Sequence, residues 1–286
     1  MKFRLILTFI IIFLIGFFVW QGIYLPKNLG SVENTMFSIE KGQKLFQIGE
    51  NLEKEGIIKN KFFFDFYLIM KGNQKKLQAG KYLLSPSENI LDIAKKIISG
   101  STAKIKITIP EGFTIKQIEE RFKEIGYPIS PIDVSLKGFL FPDTYQFSYS
   151  ETNQEIIRKM LDNFDKKLTS DLREEIEKQN KTIPEIVTMA SLLEKELITK
   201  EEKELAAGVL WKRLNAKMPL QVDCFLETYE KLGLPEKPIC NPGLESIIAA
   251  VYPKDSLYWY YLSTPEGETI FSKTLKEHNL LKAEYY

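Results

Sequence analysis

The sequence predicts an α+β protein carried behind an N-terminal transmembrane helix. Three observations lead there: an uncharged apolar run opens the chain, a strictly alternating segment lies near residue 105, and the second half repeats apolar residues at helical spacing. The run extends from Leu5 to Trp20 without a charged side chain and weakens through Gly22, Ile23 and Tyr24. About 20 residues suffice for a helix to cross a bilayer core of roughly 30 Å. Gly16, Phe17, Phe18, Val19 and Trp20 offer no small-x-small cleavage site, so an uncleaved anchor over 5–24 is expected in place of a signal peptide. Lys2 and Arg4 keep residues 1–4 in the cytoplasm by the positive-inside rule, and Trp20 and Tyr24 suit the far interface. The expected protein is thus a single-pass protein of the cytoplasmic (inner) membrane, in contact with the lipid bilayer through residues 5–24 and extracytoplasmic beyond them.

Residues 25–35 lack periodicity and read as a linker, with the fold proper starting near Phe37. Leu45, Ile48, Leu52 and Ile57 predict a helix within 43–57, and Ile90, Ile93, Ala94, Ile97 and Ile98 another. Between them, residues 79–84 read as a turn entering a short strand. Ile105, Ile107 and Ile109 alternate with Lys104, Lys106 and Thr108, the pattern of a half-buried strand. A turn containing Gly112 and a helix bearing Ile115, Ile118, Phe122 and Ile125 follow. Strand, glycine-containing turn and helix therefore occur twice, as in a weak internal duplication. Helices are expected over 153–168, 171–179, 183–198 and 203–215, and the aromatic run 258–261 reads as a buried strand.

Composition removes several function classes. The 286 residues carry 39 Lys and Arg against 38 Asp and Glu, so no positive field awaits a phosphate backbone and nucleic acid is not an expected partner. One histidine, His278, and two cysteines, Cys224 and Cys240, cannot assemble a Cys/His zinc cluster at any usual spacing. No cofactor is implied, and a histidine-based triad would run through His278 without a nucleophile elbow. Carboxylate chemistry is favoured by elimination. A disulfide between the two cysteines stays open, since both fall outside the reducing cytoplasm in this topology.

The segment 182–197 defines its own register. Thr182 and Glu185 form a capping box with Pro184 in the first turn, which places Ile183, Val187, Ala190, Glu194 and Leu197 on one stripe. Glu194 is therefore expected in an apolar row, where desolvation would raise its pKa as a general acid needs. Glu196, two residues on, is expected about 200° away on a charged face with Lys200. Glycoside hydrolysis takes two carboxylates. Cleavage by the sugar's own 6-hydroxyl needs only one, acting first as acid and then as base.

Several motifs carry a resemblance: 137–145 (Lys-Gly-Phe-Leu-Phe-Pro-Asp-Thr-Tyr), 190–196 (Ala-Ser-Leu-Leu-Glu-Lys-Glu), 218–223 (Met-Pro-Leu-Gln-Val-Asp), 233–243 (Gly-Leu-Pro-Glu-Lys-Pro-Ile-Cys-Asn-Pro-Gly) and 271–279 (Phe-Ser-Lys-Thr-Leu-Lys-Glu-His-Asn). In this order they resemble the endolytic murein transglycosylases, the YceG-like family. The resemblance implies a LysM-like α/β subdomain over 36–102 and a mixed α+β catalytic domain over 103–286. It implies cleavage of MurNAc–GlcNAc bonds within nascent peptidoglycan strands, leaving 1,6-anhydro-MurNAc ends, with peptidoglycan synthases as companions. A non-catalytic peptidoglycan-binding scaffold and a two-carboxylate muramidase are the alternatives.

Glu194 falls on the position taken as catalytic. Ser191, Glu196, Arg213, Gln221, Asp223, Tyr145, Asn241 and Asn279 are the expected substrate contacts. Gln221 and Asp223 either bind sugar hydroxyls or cap a turn, Tyr145 either stacks on a sugar or belongs to the core, and Arg213 either holds a carboxylate, of the stem peptide or of Glu196, or is a surface residue. The segment from Tyr229 to Gly233 is shorter than the family pattern, which implies a shortened substrate loop.

Overall fold

A computed structural model describes residues 2–31, 33–127 and 129–286; Met1 of the expected cytoplasmic tip and Val32 of the expected linker lie outside the described residues. The architecture is mixed α+β, with twelve helices and three two-stranded sheets among those residues. The chain divides into two compact units, residues 1–105 with 146–151, and residues 106–145 with 152–286.

The first unit begins with α1 (Lys2–Tyr24), of which Arg4–Tyr24 is long and apolar enough to cross a membrane. Its side chains stand bare, Phe9 at 69% and Phe13 at 72% exposure, as lipid-facing residues would. Only its last turns pack on the rest of the unit. Ile23 is buried, and Gly22 lies so close to the Phe63 ring that a Cβ there would come within 2.5 Å of it.

Beyond the anchor, β1 (Thr35–Ile39) leads to α2 (Leu45–Lys54), α3 (Lys61–Met70), β2 (Gly80–Leu84) and α4 (Ile90–Ser99). β1 and β2 pair antiparallel with Phe37 opposite Tyr82. Period-2 alternation turns Phe37, Ile39, Tyr82 and Leu84 inward, where they meet Ile48 and Leu52 of α2, Phe64 and Leu68 of α3, and Ile93 and Ile97 of α4. α4 is bounded by Asn89, which caps its N-terminus, and by Gly100 in the left-handed region at φ 66°.

β3 (Lys104–Thr108) and β4 (Thr144–Ser148) form a two-stranded sheet, and the division into units falls within each strand, after Ile105 and after Tyr145. The second unit contains α5 (Ile115–Glu124), α6 (Asn153–Lys167), α7 (Ser170–Lys178), α8 (Ile183–Glu196) and α9 (Lys200–Asn215). The single turn α10 (Glu227–Glu230), α11 (Leu244–Val251), the antiparallel pair β5 (Tyr260–Ser263) and β6 (Thr269–Ser272), and α12 (Leu275–Tyr285) complete it. α8 is buried all round from Ile186 to Leu193, the mark of a central helix, and α9 and α11 pack against it.

Two sequence expectations change. The repeated strand, glycine turn and helix is best seen in β1–Gly42–α2 and β3–Gly112–α5, where both glycines have positive φ (87° and 74°) and a glutamine in each first turn, Gln47 and Gln117, accepts from the N-cap amide. The aromatic run is not a buried strand: β5 starts only at Tyr260, Tyr258 to Tyr261 are half-buried, and Leu262 is the strand's buried residue. Rings this wide leave an edge in water even when one face packs.

Candidate active site

α8 is the element that positions both glutamates of the 190–196 motif. Its start is fixed by the Thr182–Glu185 capping box, and its stripe is as expected, with Val187 and Ala190 fully buried and Leu197 nearly so. Glu194 projects from that stripe into polar surroundings, not apolar ones. Its Oε2 accepts hydrogen bonds from the Gly243 amide at 3.0 Å and the Ser246 hydroxyl at 2.6 Å, and lies 3.6 Å from Lys203 Nζ. Gly243 begins α11 and has no side chain to cap it, so the Glu194 carboxylate serves as that cap and meets the positive end of the helix dipole. Glu111 leans over the same point: a Cβ on Gly243 would sit 2.0 Å from its Oε1. Loss of water, followed by the charge of Glu194, raises the Glu111 pKa.

Glu196 is the correction. The expected exposed position beside Lys200 is not observed: Glu196 is the last residue of α8, the chain turns extended at Leu197 (φ −132°, ψ 147°), and the segment carrying Asp223 and Cys224 lies against this face of the helix. The Glu196 side chain is half-buried and its Oε1 accepts the Cys224 amide at 2.5 Å. It lines a cleft of about 190 Å³ together with Arg213, Gln221, Asp223, Tyr229 and Tyr261, closed on the far side by α12 residues His278 and Asn279. Burial pushes the Glu196 carboxyl above its ordinary range, and the charge of Asp223 adds to it while the Cys224 amide opposes. The Tyr229 hydroxyl donates to Asp223 Oδ1. Desolvation raises the Tyr229 phenol to about 12, and the Asp223 bond and charge add to the rise.

Of the sequence-selected residues, Glu196, Arg213, Gln221, Asp223 and Asn279 come together in this cleft, while Glu194, Ser191, Asn241 and Tyr145 are not among its lining. Ser191 is sealed in α8, donating to Thr188 O at 2.7 Å and accepting from Ile239 N at 2.9 Å. Asn241 is fully buried and ties three segments together: its Oδ1 accepts from Gly138 N and Leu140 N, and its Nδ2 donates to Phe113 O. Tyr145 is a core residue whose hydroxyl donates to Phe141 O at 2.5 Å, with burial raising its pKa to about 12. These three side chains have their polar atoms used internally, which leaves little for a sugar. Both cysteines are free, and burial holds the Cys240 thiol up at about 12.

Comparison with known proteins bears on this arrangement. The YceG-like family matches residues 37–284. The chain belongs to the YceG-like family. An endolytic murein transglycosylase of Bacillus subtilis is 30% identical over 94% of this chain and 90% of its own length. One of Streptococcus pneumoniae is 29% identical over 94% of this chain, which spans only 62% of that longer protein. The crystal structure of a YceG-like protein from Listeria monocytogenes superposes with a TM-score of 0.55 at 30% identity, covering 88% of this chain and 99% of that one.

Within this YceG-like chain, sequence reasoning missed Tyr229 and His278 as cleft residues. Tyr229 follows the 218–223 motif by six residues and was visible only as composition. His278 was set aside because it lacked a triad, yet its place beside Asn279 in the 271–279 motif was the available signal.

Proposed function

We propose that this chain is a membrane-anchored lytic transglycosylase that cleaves MurNAc–GlcNAc bonds within peptidoglycan strands, and that Glu196, in place of Glu194, is its acid and base. One observation carries the reading: Glu196 lines a cleft of polar side chains, where burial pushes its carboxyl above its ordinary range. Glu194 is engaged on Oε2 by two donors and a buried ammonium, an arrangement suited to holding α8, α9 and α11 together. The names of the Bacillus and Streptococcus relatives support the reaction class.

In this mechanism the protonated Glu196 gives its proton to the glycosidic oxygen as the C1–O bond breaks, releasing the GlcNAc end with a free 4-hydroxyl. The carboxylate then takes the proton of the MurNAc 6-hydroxyl as that oxygen bonds to C1, forming the 1,6-anhydro ring. The acid is regenerated and no water is consumed. Residues 5–24 serve as a single-pass anchor with the N-terminus cytoplasmic. Residues 36–102 form a LysM-like subdomain, a reading supported by the β1–α2–α3–β2 unit with its own core. Residues 103–286 are the catalytic domain. The biological outcome is termination of strand growth beside peptidoglycan synthases.

A second reading is favoured by Asp223, whose charge is felt by Glu196. With Asp223 positioning a water, the pair would act as a muramidase. Digestion of purified glycan strands by the full chain in detergent, with mass spectrometry of the ends, separates the two. Anhydro ends support the proposal, ordinary reducing ends favour the muramidase, and no cleavage leaves a binding scaffold.

A further inference from the structure

The cleft has a second half that the cleavage chemistry does not use. Arg213 is only 4% exposed, yet no carboxylate pairs with it among the described residues. Its Nε donates to Trp259 O at 2.7 Å and its Nη1 to Leu220 O at 2.8 Å, both neutral carbonyls, while the guanidinium lies 4.8 Å from the Tyr260 ring centre. A buried guanidinium held only by dipoles and a ring face lacks the anion that would balance it. Two further atoms in this half are buried without a hydrogen-bond partner among the described residues, the Tyr261 hydroxyl and His278 Nδ1. The His278 ring stacks on Tyr260 at 5.3 Å, which fixes it facing the same space, and Lys282 adds a cation at the rim. Buried polar atoms without partners call for an explanation, and two of them beside an ion-pair-free guanidinium around one opening have a common one.

We propose that this half of the cleft, built on Arg213, Tyr261 and His278, is a carboxylate subsite for the substrate, a reading that rests on the glycan-strand function above. An N-acetylated sugar chain is itself uncharged. Its carboxylates come from two sources, the lactyl group of a peptide-free MurNAc and the stem peptide of a substituted one. With Nε and Nη1 on carbonyls, the guanidinium keeps its Nη2 and its positive charge for a ligand, and the phenol supplies a second donor, which matches a carboxylate better than a hydroxyl or an acetamide. Such a subsite would orient the strand so that the glycosidic oxygen reaches Glu196 across the opening.

The test uses the full chain in detergent and calorimetric titration with GlcNAc–MurNAc ligands. These contain no MurNAc–GlcNAc bond and so survive the titration. Three are compared: the peptide-bearing disaccharide, the peptide-free disaccharide with its lactyl carboxylate, and the lactyl methylamide, which has no carboxylate. The proposal expects the methylamide to bind at least about tenfold more weakly than the better carboxylate ligand, and the better ligand identifies the source. Tyr261→Phe, which removes one hydroxyl and keeps the ring, should shrink that ratio several-fold. Equal binding of all three ligands would overturn the subsite, as would a Tyr261→Phe protein that keeps the full ratio. Strand digestion is run alongside: strands left uncut while the carboxylate preference holds would remove the cleavage reading alone.

Discussion

The ammonium of Lys203 lies 3.6 Å from Oε2 of Glu194, with the two side chains 5% and 9% exposed, so this is an ion pair almost closed to water. Breaking such a pair from one side leaves an uncompensated buried charge. Lys203→Met should therefore lower stability by about 3 kcal/mol, while the double variant with Glu194→Gln should lose less than the two single changes summed. Chemical denaturation of the three proteins measures this, and additive losses would show that the pair is not coupled.

In the proposed mechanism the raised pKa of Glu196 sets the basic limb of the pH–rate profile. The acid must be protonated to act, so cleavage should fall as pH rises through the folded-state pKa. Asp223 helps hold that pKa up. Asp223→Asn should move the falling limb to lower pH while anhydro ends persist. A limb that stays in place would separate Asp223 from the acid, and complete loss of cleavage in a folded protein would favour the muramidase.

Asp65 of α3 is 7% exposed, its Oδ1 has no hydrogen-bond partner, and burial raises its pKa from 3.8 to about 6, with Lys61 opposing and Glu53 adding. Because the folded-state value is the higher one, its stabilising contribution is full below pH 3.8 and is lost as pH rises through about 6. Asp65→Asn should flatten the pH dependence of stability in that window, by about 2 kcal/mol between its ends. Thermal melts at a series of pH values would show it, and an unchanged slope would count against a buried acid there.

Gly138 has φ 94°, and a Cβ on it would come within 2.5 Å of Pro238 Cγ and 2.9 Å of Val187 Cγ1. Its amide also donates to Asn241 Oδ1 at 2.9 Å. Gly138→Ala combines backbone strain with overpacking and should cost about 3 kcal/mol. A variant that melts with the parent protein would show that this turn relaxes freely.

Much of the fold was legible because its elements announce their ends. The capping boxes at Thr114, Thr152, Thr182 and Thr199 each begin a helix within a few residues of where the apolar spacing puts it. α3 was not legible: Phe62, Phe63, Phe64 and Phe66 are apolar on every side, so no face stands out, and only the Asn60 cap marked its start. α11 was hidden for the same reason, an apolar run too short to show a period, while β5 was anticipated two residues early. Periodicity placed the two glutamates of 190–196 on different faces of α8, but it carried no signal for the Cys224 amide that meets Glu196 or for Lys203 and Ser246, which arrive at Glu194 from α9 and α11.

The assignment of the acid is tested most directly by measuring anhydro-end formation on purified strands with Glu196→Gln and Glu194→Gln proteins whose folded state has been checked by thermal melting. Glu196→Gln should melt like the parent and lose cleavage by about a hundredfold or more, while Glu194→Gln should melt earlier and still cleave when folded. Cleavage retained by Glu196→Gln, with a well-folded Glu194→Gln inactive, would contradict that assignment.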